Sequence, residues 1–158
     1  MSAFSVDTAS QEPGELIAQV TALLSGQTDP VANAANLSAL LFHSLDDVNW
    51  VGFYFLKGDR LIVGPFQGKP ACVAIPLGEG VCGTAASTRE IQRVADVHAY
   101  GGHIVCDADS RSEIVLPLVH GGELLGVLDI DSPLPGRFNE ADEKLLAEIA
   151  EIFLRSIA

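Results

Sequence analysis

Two carboxylates stand two residues apart in the stretch LDIDS at residues 128–132, near the end of a predicted strand. Side chains alternate between the faces of a strand, so Asp129 and Asp131 should emerge on one face. Glu113 begins the preceding predicted strand, which the tight turn HGGE joins to this one. Adjacent carboxylates disfavour each other's charge, so one can stay protonated and donate a hydrogen bond while another binds a cation. The alternative is a solvated outer face of the sheet.

Two aromatic residues flank a glycine on another predicted strand, NWVGFYF. Trp50, Gly52 and Tyr54 share one face, and the missing side chain at Gly52 predicts a gap between the rings. A small apolar or soft group could sit there. Ordinary sheet packing is the alternative interpretation.

Three cysteines could carry redox chemistry: Cys72 on a predicted strand, Cys82 at the start of a predicted helix and Cys106 in a loop. Negative neighbours raise a thiol pKa, so Cys106 beside Asp107 and Asp109 should be a poor nucleophile unless something compensates. The helix N-terminus should favour a thiolate at Cys82. Taken singly, each cysteine could simply be a small buried hydrophobe.

A metal centre would have to recruit His98 and His103 from the stretch HAYGGHIVC. The spacing contains neither a CxxC pair nor another paired-ligand pattern. We therefore predict no bound metal.

The elements that must position these residues follow from periodicity and turn residues. Apolar residues at helical spacing predict a first helix over residues 13–26, with one apolar stripe made of Leu16, Ile17, Val20, Leu23 and Leu24. A second helix should begin with Asp29 as N-cap and Pro30 at its first position, and should bury Val31, Ala34, Ala35, Leu41, Phe42 and Leu45. The strands are predicted at residues 49–56, 61–68, 71–76, 91–94, 112–120 and 124–132.

A short helix should follow the third strand, and a last helix should be capped by Asn139, with a loop at residues 95–111. Two helices, about six strands and a closing helix predict an α+β sandwich around a central antiparallel sheet, with helices packed against it.

Composition limits the function classes. The 158 residues are 48% hydrophobic and 19% charged, which predicts one folded domain over residues 13–158 after a tail at residues 1–12. A net charge of −12 with no cluster of cations argues against nucleic acid. No apolar run is long enough for a membrane span, and MSAFSVDTASQ lacks a signal-peptide pattern, so we expect a cytoplasmic protein.

Several stretches together resemble the free methionine-(R)-sulfoxide reductases, a family built on the GAF fold. They are NWVGFYF, GPFQGKPACVAIPLGEGVCGTAA, HIVCDADSRSEIVLPL and GVLDIDSP. The similarity runs from about Glu15 to the end of the chain and includes all three cysteines.

This resemblance implies reduction of free L-methionine (R)-sulfoxide by thiol chemistry, with no bound cofactor and with electrons from thioredoxin. It implies that Cys106 is the nucleophile, Cys72 the resolving thiol and Cys82 an auxiliary thiol. By the same resemblance Trp50 and Tyr54 contact the methyl end of the substrate, while Glu113, Asp129 and Asp131 contact its polar groups. A homodimer and a role under oxidative stress are further implications.

A non-catalytic GAF module that binds a small ligand is the competing hypothesis, because a fold does not fix a function. Such a module should keep its ligand after Cys106→Ser, whereas a reductase should lose turnover.

Overall fold

Four α-helices and six strands make up the part of the chain that the structure, a computed structural model, describes: residues 12–102, 106 and 108–158. In chain order they are α1 (Pro13–Leu24), α2 (Pro30–Ser44), β1 (Trp50–Lys57), β2 (Arg60–Gly68), β3 (Ala74–Pro76), α3 (Gly80–Thr88), β4 (Gln92–Val94), β5 (Ser112–His120), β6 (Glu123–Ser132) and α4 (Glu140–Ile157). A single 3₁₀ turn at Val97–Ala99 precedes β5. Residues 1–11, His103 and Asp107 lie outside the described residues.

The strands form one sheet in the order β3-β2-β1-β6-β5-β4, and every neighbouring pair is antiparallel. The two long hairpins, β1–β2 and β5–β6, lie side by side at its centre. Gly121 and Gly122 both have positive φ, as the two-residue turn between β5 and β6 requires. The predicted α+β architecture with a central antiparallel sheet is confirmed.

The two faces of the sheet differ in what covers them. One face packs against α1, α2 and α4, with residues such as Phe53, Ile114 and Ile130 fully buried in that core. The other face carries a smaller apolar cluster with α3, which includes Trp50, Tyr54, Val81, Cys82, Val115 and Val127. The larger core holds the sheet rigid, and the smaller one leaves room for a site.

The helix caps follow the sequence. Asp29 accepts a hydrogen bond from the Ala32 amide at 2.8 Å, and Asn139 caps α4 in a reciprocal capping box with Asp142. The predicted inner face of α2 was partly wrong, since Val31 is 60% exposed and Ala35 is also exposed. Val31 and Ala35 are four positions apart and lie on the outer face of α2, whereas Ala34 and Leu37 are buried on its inner face.

The third strand is shorter than predicted, and Cys72 precedes it rather than lying on it. Val73 is 66% exposed, and the ladder with β2 begins only at Ala74. Cys72 therefore belongs to the connection between β2 and β3.

No helix among the described residues combines the length and the apolar content needed to cross a bilayer.

Candidate active site

A pocket of about 530 Å³, its open mouth included, lies on the α3 face of the sheet. The strands β1, β5 and β6 form its floor, α3 forms one wall, and the segments around Cys72 and Cys106 form its rim. The residues that line it are Trp50, Tyr54, Pro70, Ala71, Ile75, Glu79, Gly80, Val81, Cys82, Cys106, Ser110, Glu113, Asp129 and Asp131.

The three predicted carboxylates meet on this floor. Glu113 lies directly opposite Asp131 across the β5–β6 ladder, and Asp129 follows two residues along the same strand face. Their exposed fractions are 6%, 8% and 5% for Glu113, Asp131 and Asp129, so the alternative of a solvated outer face is wrong. Burial of three acidic side chains at one place needs a functional reason, because such groups are rarely buried without partners.

Burial also favours the protonated forms of Glu113 and Asp129. Loss of solvation, and then the charge of Asp129, raises the pKa of Glu113 well above its usual value. Loss of solvation, and then the charge of Asp131, raises the pKa of Asp129 in the same way. The pocket floor therefore favours the protonated form of both carboxyls, as the sequence predicts for crowded carboxylates.

Cys82 lies in the first turn of α3 and faces the same floor. Its thiol donates to Glu113 Oε1 at a distance of 3.8 Å, and the side chain is buried. Burial, and then the charge of Asp129, raises the pKa of the thiol well above its usual value. The expectation that the helix N-terminus would favour a thiolate is wrong, because desolvation and the acidic neighbours outweigh the helix dipole.

The two aromatic residues form one wall, although not as predicted. The rings of Trp50 and Tyr54 stack with centroids 5.7 Å apart, and Trp50 also stacks on Phe66 at 5.2 Å. A Cβ on Gly52 would lie 2.6 Å from the Trp50 ring, so the indole already fills the predicted gap. Gly52 thus allows the indole to lie flat beside the pocket. Burial, and then the charge of Asp129, raises the pKa of Tyr54, so its hydroxyl stays protonated.

Cys72 and Cys106 are joined by a disulfide at the rim of the pocket, with Cα atoms 5.4 Å apart. Among the described residues the only free thiol is that of Cys82. Two thiols that pair beside a pocket can store and release two electrons, which makes the arrangement suitable for redox chemistry.

An ion pair crosses the same rim. Lys69 Nζ donates to Asp109 Oδ2 at 2.7 Å. Lys69 comes three positions before Cys72 in the chain, and Asp109 comes three positions after Cys106. Hydrogen bonding to Lys69 lowers the pKa of Asp109. Lys69 therefore offsets part of the negative charge that the sequence placed beside Cys106. Asp107 lies outside the described residues.

Sequence reasoning missed three residues that shape the rim: Lys69, Asn49 and Ser110. Asn49 Nδ2 donates to Ser110 Oγ at 3.2 Å, and the Asn49 amide donates to the Asp131 carbonyl at 3.0 Å. The Trp50 indole N–H donates to the Lys69 carbonyl at 3.1 Å. Only the tertiary fold brings these residues together. The predicted candidate His98, in contrast, is exposed on the 3₁₀ turn and is not among the pocket-lining residues.

Comparison with known proteins places this fold and pocket in a class. Residues 15–157 match the GAF domain, an assignment that covers the sheet, the pocket and all three cysteines.

The individual relatives are more specific. The free methionine-R-sulfoxide reductase of Escherichia coli K12 is 56% identical over 128 residues, which cover 81% of this chain and 78% of that protein. The structure of fRMsr from Staphylococcus aureus in its reduced form is 46% identical, covers 99% of this chain and 100% of its own, and superposes with a TM-score of 0.92. A free methionine-R-sulfoxide reductase from Neisseria meningitidis in complex with its substrate is 40% identical over 99% of this chain and 96% of its own, with a TM-score of 0.91. This chain belongs to the GAF-domain family of free methionine-R-sulfoxide reductases.

Proposed function

We propose that this protein reduces free L-methionine (R)-sulfoxide to L-methionine by thiol chemistry, within a catalytic domain that spans residues 13–158. The observation that carries the proposal is the Cys72–Cys106 disulfide at the rim of a pocket whose floor is acidic. The names of the relatives in Escherichia coli and Neisseria meningitidis support the same substrate.

The two sides of the pocket suit the two ends of this substrate. The side chains of Trp50 and Tyr54, which line the pocket, offer apolar contact for the methyl group at the sulfur end. Glu113, Asp129 and Asp131 offer oxygens for the ammonium group. The sheet closes the bottom of the pocket, which has room for a free amino acid. A methionine within a peptide carries chain on both sides, so the pocket favours the free amino acid.

In the first step, the Cys106 thiolate attacks the substrate sulfur while a carboxylic acid on the floor protonates the sulfoxide oxygen. The attack forms a sulfur–sulfur bond, and the protonated oxygen then moves from the substrate sulfur to the Cys106 sulfur. The sulfur–oxygen and sulfur–sulfur bonds to the substrate break, methionine leaves as the reduced product, and Cys106 becomes a sulfenic acid. Glu113 and Asp129 are the candidates for this acid, because burial raises the pKa of both.

In the second step, the Cys72 thiol attacks the Cys106 sulfenic sulfur. A sulfur–sulfur bond forms and water leaves, which gives the disulfide of the structure. A dithiol donor then reduces this bond by exchange and becomes a disulfide itself. We assign that role to thioredoxin. Cys82 is an auxiliary thiol in this scheme, since it lies on the floor beside Glu113 and not in the disulfide.

Substrate binding completes the activation of Cys106. Lys69 offsets the charge of Asp109, and the bound ammonium group offsets part of the charge on the floor. Both effects favour the Cys106 thiolate. We further propose a cytoplasmic homodimer that restores methionine under oxidative stress.

The test is NADPH consumption coupled through thioredoxin reductase and thioredoxin. The purified protein is offered free methionine (R)-sulfoxide, the free (S)-epimer and a peptide that contains methionine sulfoxide. We expect turnover of the free (R)-epimer alone, loss of turnover in Cys106→Ser, and unchanged turnover in the exposed control variant Ser87→Ala.

A folded, fully reduced protein that turns over none of the three compounds would contradict the proposal. If that protein still binds the amino acid, and if Cys106→Ser binds it equally well, the ligand-binding GAF module replaces the reductase. A small dithiol is then used in place of thioredoxin. Turnover with the small dithiol alone would show that the reductant was wrongly assigned, and no turnover would show that the reaction itself fails.

A further inference from the structure

Three side chains of different chemistry converge on the pocket floor. Cys82 comes from α3, Glu113 from β5 and Asp129 from β6, and one donor atom of each lies within 4.8 Å of the others. The first two are 31 positions apart in the chain. This is why the sequence shows no metal-binding pattern, although the fold assembles a thiol and two carboxylates at one point.

The geometry of this cluster approaches that of a metal centre. Two ligands of a tetrahedral zinc ion, one sulfur and one oxygen, lie about 3.6 Å apart, given the usual bond lengths. Cys82 Sγ and Glu113 Oε1 are separated by 3.8 Å. The donor atom of Asp129 lies within 4.8 Å of both.

A second observation points to a missing ligand. Asp129 Oδ1 is fully buried and has no hydrogen-bond partner among the described residues. A buried oxygen without a partner is unusual and calls for an explanation such as an ion or a water molecule. No lysine or arginine is among the described residues that line the pocket.

We propose that Cys82, Glu113 and Asp129 form a binding site for a borderline-soft divalent cation such as Zn²⁺ or Cd²⁺. The sulfur donor excludes Mg²⁺ and Ca²⁺, which require oxygen ligands, and favours ions that accept thiolate. Three protein ligands leave a fourth coordination position, and the pocket beside them supplies the space for water or a small ligand there.

The site has a consequence for catalysis that rests on the proposed function. The amino group of the substrate and the metal ion would use the same two carboxylates, Glu113 and Asp129. The ion and methionine sulfoxide therefore exclude each other, and the ion acts as an inhibitor rather than a cofactor.

The experiment uses the disulfide form of the whole protein, in which Cys72 and Cys106 cannot act as ligands. Titration with CdCl₂ should produce the ultraviolet charge-transfer band of a single cadmium–thiolate bond, saturating at one equivalent, and ZnCl₂ should remove the band. The measurement needs no turnover, so its result is independent of the reductase assay.

Variants assign the ligands. Cys82→Ser should abolish the band, and Asp129→Asn should weaken binding by at least about tenfold, the lower end of what loss of an outer-shell partner costs. His98→Ala, which removes an exposed imidazole, should bind as the parent protein does. A band that survives in Cys82→Ser, or equal affinity in Asp129→Asn, would overturn the assignment.

X-ray absorption on the zinc-loaded parent protein covers the case in which Cys82→Ser does not fold. One sulfur at about 2.3 Å with oxygen neighbours supports the site. A first shell without sulfur, or no stoichiometric zinc after gel filtration, would overturn it.

Discussion

Replacing Asp129 by Asn should make the stability of the protein less dependent on pH. Burial, and then the charge of Asp131, raises the pKa of Asp129 in the folded chain well above its usual value of 3.8. The folded state therefore keeps a proton that the unfolded state has already lost. Unfolding releases this proton, so the free energy of unfolding falls as the pH rises from the usual pKa to the raised one.

The size of the effect follows from the linkage relation. A carboxyl that is protonated when folded and ionised when unfolded lowers the free energy of unfolding by about 1.4 kcal/mol for each pH unit within that window. The side-chain amide of the Asp129→Asn variant does not titrate and makes no such contribution. The charge of Asp129 also contributes to the raised pKa of Glu113, so the difference between the two slopes reports the titration of Asp129 together with its coupling to Glu113.

The assay is urea unfolding of the disulfide form at several pH values between about 5 and 6, just above the usual carboxyl pKa. We expect the parent protein to lose more stability than Asp129→Asn across this unit, with one proton setting the upper limit of the difference at about 1.4 kcal/mol. The control is Asp59→Asn, because the Asp59 side chain is 92% exposed and its loss should leave the slope unchanged. Parallel lines for the parent and Asp129→Asn would refute the inference that Asp129 holds a proton.

Three further predictions concern the rim and the wall of the pocket. Cys72→Ser should allow one turnover per chain and then stop, since the sulfenic acid on Cys106 has no partner; quenched-flow product counting measures this. Asp109→Asn should speed iodoacetamide modification of reduced Cys106 by no more than about fivefold, because the charge it removes is exposed to solvent. Gly52→Ala should cost about 1–3 kcal/mol in urea unfolding and raise KM, because a Cβ there would lie 2.6 Å from the indole ring.

Each of these has its own control. Full recycling in Cys72→Ser would transfer the resolving role to Cys82. An unchanged rate in Asp109→Asn would show that the acidic neighbours do not restrain the Cys106 thiol. Gly14→Ala matches the change at Gly52, but no atom lies within 4 Å of its added methyl group, so it should not lower stability; equal losses in both variants would contradict the steric argument.

The sequence predicts the local features of this fold well, because local rules determine them. The caps at Asp29 and Asn139 and the turn at Gly121 depend on neighbouring residues, and all three are confirmed. The common face of Asp129 and Asp131 follows from strand alternation in the same way.

Features that depend on distant residues were predicted poorly. Local reasoning placed Cys82 at a helix N-terminus and favoured the thiolate, but the opposing strands bury it among acids and reverse the direction of its pKa shift. The position of Lys69 beside Asp109, 40 residues away, depends on the packing of two connections that no periodicity describes. The sequence could not show that the Trp50 indole fills the space at Gly52, because this depends on the side-chain orientation of Trp50.

Side chains along the central strands alternate between the two faces of the sheet, so residues on one face can be substituted independently of residues on the other. Along β6 the odd-numbered residues lie on the pocket side of the sheet, where Asp129 and Asp131 line the pocket and Val127 packs in the smaller apolar cluster, while Leu128 and Ile130 face the helical core. Substitutions at the pocket positions can change the ligand without disturbing the packing that maintains the fold. A scaffold organised in this way can acquire a new specificity through changes at alternate residues of a few strands.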